Sequence, residues 1–139
     1  MRPDSIRKFE MLWFTAIVLG LINFVLGFAT LKAQAEAELA GTALTFSPSI
    51  LIAGIAVGTA INVALWFLVA HKAIGIVKWV ILILFVWGLI SAPAMFVDGL
   101  QTIDVIAIVA MLLQAAAIFF LFRPDATAWF ASKGGRANP

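Results

Sequence analysis

Apolar residues in this chain fall in long unbroken blocks rather than in alternation. Four blocks hold about twenty residues each, roughly Met11 to Leu31, Ile50 to Ala70, Trp79 to Val97 and Ile103 to Phe122. An α-helix rises 1.5 Å per residue, so about twenty apolar residues cross a hydrocarbon layer of about 30 Å. The pattern predicts an all-α integral membrane protein, a four-helix antiparallel bundle in a single transmembrane domain over residues 1–139. Spanning strands are disfavoured, because the blocks lack the in-and-out alternation of a barrel wall.

The polar stretches between the blocks supply the boundaries. "RPDSIRKFE" places Asp4 or Ser5 as a helix N-cap, followed by Ile6, Phe9, Leu12 and Trp13 at helical spacing, which predicts a short interfacial lead-in to helix 1. "LKAQAEAELA" is rich in helix formers and extends helix 1 outward toward Gly41. Ser47 and Pro48 form a start signal for helix 2, as N-cap and first helical residue. "HKAIGIVK" is a tight turn with Gly75 at the reversal, and Pro93 is expected to kink helix 3, with Ser91 free to bond a released carbonyl. Asp98 and Gly99 mark the next turn. "RPDATAWFASKGG" restarts a helix at Pro124 and Asp125, lays Trp129 and Phe130 toward lipid, and stops at the glycine pair. Short interfacial helices are thus expected at both ends of the chain.

Composition supports lipid as the solvent: hydrophobic residues are 64% of the chain, charged residues 12%, and the mean hydropathy is +1.12. The net charge of +2 matters through its placement. Arg2, Arg7, Lys8, Lys72, Lys78, Arg123, Lys133 and Arg136 fall on one side of the four blocks, and only Lys32 on the other. By the positive-inside rule both termini are cytoplasmic, and nucleic acid is not needed to explain the basic tails. Trp13, Trp66, Trp79 and Trp129 fall near the same boundary, as interfacial anchors. Arg7, Lys8, the first apolar block and "AQA" at residues 33–35 imitate a secretory signal, but the block is longer than a signal core, which favours a retained helix.

Within the blocks, one face of helix 1 carries Ala16, Gly20, Asn23, Gly27 and Thr30, helix 2 carries Gly54, Gly58 and Asn62, and helix 4 carries Ala107, Ala110, Gln114 and Ala117. Small residues allow close backbone approach and amides bond across it, so these faces are expected to pack together. Asn23, Asn62 and Gln114 all lie within roughly 3 to 5 Å of the predicted bilayer centre, with Ser91 near the same depth. The favoured reading is interhelical glue; the sharper one is a polar layer lining a conduit or ligand pocket.

Candidate chemistry is sparse. Cysteine is absent, which excludes disulfides and dithiol redox chemistry. No charged residue lies within the body of a span, whereas ion-coupled transporters usually carry one. Glu10 stands at the cytoplasmic lip of helix 1, expected as a solvated partner of Arg7 or of headgroups, and the single histidine, His71, reads as an ordinary interfacial residue. Glu36, Glu38, Asp98 and Asp104 form a solvated acidic outer face. No nucleophile with its base, phosphate loop or paired carboxylate is present, so no enzyme activity, catalytic residue, cofactor or metal is expected.

"RPDSIRKFE" before helix 1 and "FLFRPDATAWF" after helix 4 are similar to the ends of small four-span bacterial inner-membrane proteins of uncharacterised function. That resemblance implies a bacterial inner membrane and no particular activity. The small multidrug resistance transporters share the length and span number, yet depend on a membrane-embedded glutamate in helix 1, and Glu10 lies outside the span. The expectation is therefore a non-enzymatic accessory or scaffold subunit whose partners are membrane lipids and another membrane protein or itself. The alternative is a small oligomeric channel or transporter for a neutral or weakly polar solute.

Overall fold

A computed structural model describes residues 2–43, 45–91 and 102–132, with backbone alone for residues 91, 102 and 103. The described residues form five helices and no strand: α1 (Asp4–Leu39), α2 (Pro48–Ala70), α3 (Val77–Ser91), α4 (Thr102–Leu121) and α5 (Pro124–Ala131). Three of them, α1, α2 and α4, are long and apolar enough to cross a membrane, and α3 is a shorter apolar helix over Val77–Ile90. The expected end of helix 3, with Pro93, Asp98 and Gly99, lies outside the described residues, as do the Ser91 side chain, Lys133, Gly134, Gly135 and Arg136.

The lead-in and the outward extension both merge with the first apolar block. α1 is one continuous helix of 36 residues, about 54 Å long at 1.5 Å per residue. Its N-cap is Pro3, one residue before Asp4 and two before Ser5, the expected caps, with no side-chain cap bond. The Pro3 carbonyl accepts from the N–H groups of Ile6 at 3.1 Å and Arg7 at 3.2 Å. α1 ends at Leu39, and Gly41 takes φ +88°, a conformation that costs glycine nothing. α2 begins as its sequence signals, with Ser47 as N-cap and Pro48 in the first turn, but the Ser47 hydroxyl pairs with that of Ser49 at 2.6 Å and makes no cap bond to the helix backbone.

The turn between α2 and α3 reverses at a different residue from the one expected. Ala73, not Gly75, takes the left-handed conformation, at φ +51°. The chain closes α2 there through the N–H groups of His71 and Lys72, both donating to the Phe67 carbonyl, and of Ile74, donating to that of Leu68 at 3.2 Å. Gly75 serves a packing purpose instead, since a Cβ on it would lie 3.4 Å from the Phe130 Cβ of α5.

Side-chain packing is concentrated where the start of α1, the end of α2, the start of α3 and the end of α4 meet. The core there holds Ile6, Phe9 and Trp13 of α1, Val69 and Ala70 of α2, Val77 and Ile81 of α3, and Ile118 and Leu121 of α4. α5 closes it from below. Trp129 and Phe130, expected to face lipid, are 9% and 8% exposed and point into this core. Above it, α1 and α4 form the most extensive helix pair, while α2 and α3 diverge from them. The outer parts of α2 and α3 leave Val57, Ile61, Ile83 and Ile90 uncovered by protein.

Candidate functional site

Two groups of polar side chains lie among the apolar helices, one at their basic end and one in the middle of the apolar blocks. At the basic end, Ser5 begins α1 with an N–H that has no partner within its own helix. Asp125, in the first turn of α5, supplies one. The Ser5 N–H donates to Asp125 Oδ2 at 3.2 Å, and the Ser5 hydroxyl donates to Oδ1 at 2.7 Å. Asp125 thus caps a helix that begins 120 residues earlier, and it does so for a serine that is only 4% exposed. The hydrogen bond from the Ser5 hydroxyl holds the Asp125 carboxyl below the ordinary range; partial burial opposes the shift and backbone N–H groups reinforce it. Arg123 adds a loose contact, its Nε 3.9 Å from Oδ1.

One turn further along α1 stands Glu10. Its partner is Arg2 rather than Arg7, at 2.9 Å, and the same Oε1 accepts from Trp66 Nε1 of α2 at 3.1 Å. The second bond joins α1 to α2, segments that hydropathy alone treats as separate. Trp13 lies deeper, with its Nε1 donating to the Asn62 main-chain carbonyl at 3.2 Å. His71 closes the group, edge-on to Trp66 at 4.9 Å and stacked on Phe67 at 5.1 Å, with Nδ1 buried and unpaired. Around the rim three lysines lie over aromatic rings, Lys8 above Phe120, Lys72 above Phe67 and Lys78 above Phe122. Of the four tryptophans expected at the interface, Trp13 and Trp129 are turned into the core, Trp66 is half-buried, and Trp79 alone is open, at 52% exposed.

The amides at mid-block are arranged differently. Asn62 donates from Nδ2 to the Gly58 carbonyl of its own helix at 2.9 Å. Asn23 has its Oδ1 buried with no hydrogen-bond partner among the described residues, and Gln114 is half-buried. Among the described residues no hydrogen bond joins any two of these three amides. On α1 and α4 the small-residue faces are buried in part, at Ala16, Gly27, Ala110 and Ala117, while Gly20 is half-buried and Thr30 exposed. α2 differs, because a Cβ added at Gly54 or Gly58 would meet no atom within 4 Å, and the same holds at Gly20 of α1.

Beside the Glu10 cluster an open groove of about 600 Å³ is lined by Asp4, Arg7, Lys8, Glu10, Met11 and Phe14. Among the described residues no group of three or more His, Asp or Glu is placed to hold a metal ion. Comparison with known proteins finds no matching family model, no matching curated protein and no matching solved structure.

Proposed function

We propose that this chain is a non-enzymatic membrane scaffold, a small accessory subunit whose helices 1 and 4 form a spine and whose helix 2 offers its glycine face to a helix of another membrane protein. In this reading the chain spans a bacterial inner membrane four times as an antiparallel bundle, with both termini in the cytoplasm. The orientation rests on the cation bias, since Arg2, Arg7, Lys8, Lys72, Lys78 and Arg123 all stand at the basic end while Lys32 stands at the other.

The observation that favours the scaffold is the state of Gly54, Gly58 and Asn62. Glycines four apart in an apolar helix suit close helix approach, yet among the described residues no atom lies within 4 Å of where a Cβ on either would stand. The one amide on that face is already satisfied within its own helix, so the face presents a shallow, non-polar surface to a neighbour. A second reading, a small oligomeric conduit for a neutral solute, is favoured by one fact: Asn23 Oδ1 is buried and unpaired, as an oxygen waiting for water or solute would be.

Extraction in gentle detergent followed by native mass spectrometry separates the two. A stable mass containing a different membrane protein, lost when Gly58 is replaced by Leu, supports the scaffold. A closed homo-oligomer that admits a small neutral solute into sealed vesicles supports the conduit and overturns the scaffold.

A further inference from the structure

We infer that the groove beside Glu10 is a binding site for a zwitterionic phospholipid whose headgroup bears a primary ammonium. The inference rests on the membrane reading and is independent of the scaffold role. Asp4, Arg7 and Lys8 stand three and four residues apart on one helical surface, spacings at which opposite charges ordinarily pair. They do not pair here. No ion pair within 4.0 Å joins any of the three to a described residue. Lys8 lies instead over the Phe120 ring, 5.5 Å from its centroid.

The result is a concavity with unneutralised charge of both signs at one level and apolar surface above it. Met11 is 64% exposed and Phe14 37%, one and two turns deeper along α1, where an acyl chain would run. Arg7 and Lys8 suit a phosphodiester, Arg7 through paired donors and Lys8 as a point charge. Asp4 suits an ammonium with N–H groups to donate. A purely anionic headgroup would leave Asp4 facing like charge, and a quaternary ammonium would have no N–H to give. Glu10, held on Oε1 by Arg2 and Trp66, fixes the far wall.

The test uses the full chain, purified in detergent and titrated with dioleoyl phosphatidylethanolamine, phosphatidylcholine or phosphatidylglycerol while retained lipid is read by native mass spectrometry. Phosphatidylethanolamine is expected to bind on the order of tenfold more tightly than either of the others. Replacing Arg7 and Lys8 together by Gln should abolish that preference, and D4N, which leaves both cations in place, should reverse it toward phosphatidylglycerol. K32Q, at the opposite end of α1, should change nothing. Glycerophosphoethanolamine, the headgroup without acyl chains, should compete only weakly. Equal retention of the three lipids, a preference for phosphatidylglycerol in the unaltered chain, unchanged selectivity in D4N, or equal binding of the soluble headgroup would each overturn the inference.

Discussion

The basic end of the helices and their far halves are built from the same residue types but held by different forces. At the basic end, aromatic and branched side chains from all five helices interdigitate, and Ser5, Trp13 and Trp66 each donate a hydrogen bond to another segment. In the far halves, α2 and α3 make few contacts with the α1 and α4 pair, Ile90 is 72% exposed, and Asn62 bonds within its own helix. The difference follows from solvent. Where headgroups and water begin, burying apolar surface is favourable and a buried donor needs a protein acceptor. In hydrocarbon an exposed Ile costs nothing, so only close packing or hydrogen bonds hold helices together.

Truncating one large side chain at each end tests the contrast most severely. Phe9→Ala opens a cavity in a fully buried site and should cost about 3 kcal/mol. Ile90→Ala removes atoms that no packed neighbour covers and should cost less than about 0.5 kcal/mol. Thermal unfolding in one detergent measures both, and equal losses would mean that α3 is as tightly held as the base.

Trp13→Phe keeps the ring in the core but deletes the donor to the Asn62 carbonyl, so it should cost about 1 kcal/mol and leave the helical circular dichroism intact. Ala73→Gly moves the other way, by up to about 1 kcal/mol, because glycine adopts φ +51° without the Cβ clash. A loss of stability in Ala73→Gly would show that the buried methyl outweighs the strain.

The link between Ser5 and Asp125 gives a pH signature. Asp125 is held below its ordinary carboxylate pKa when folded, so its contribution is full above the unfolded value, about 3.9. The contribution is lost as pH falls through the lower folded value. Protease access to the segment after Phe122 should therefore rise only below about pH 4, and Ser5→Ala should raise that access at neutral pH.

Local signals were legible in the sequence and long-range ones were not. The apolar blocks, the stop at Gly41 and the starts at Pro48 and Pro124 each depend on residues within a turn or two of one another. The cap on Ser5 depends on a residue 120 positions away, and no local preference reports it. Trp129 and Phe130 turn inward because the underside of the core is apolar, and composition alone does not distinguish such a core from lipid. Gly75 looked like the residue of the reversal because glycine tolerates positive φ; its actual constraint is the approach of Phe130. Arg2 rather than Arg7 meets Glu10, a contact eight residues apart that helical spacing does not report.

The smallest expected effects are at the mid-block amides, and there the sign carries the information. Asn62 spends its amide on Gly58 of its own turn, a bond that holds no second helix. Asn62→Leu should leave stability within about 0.5 kcal/mol of the unaltered chain. Asn23→Leu removes a buried oxygen that has no protein partner and should be neutral or stabilising by up to about 1 kcal/mol. If Asn23→Leu instead costs 1 kcal/mol or more, its Oδ1 has a partner such as a bound water or a second chain. Deuterium exchange at the α1 and α4 backbone then separates those two: a water-filled path speeds exchange near Asn23, whereas a docked helix slows it.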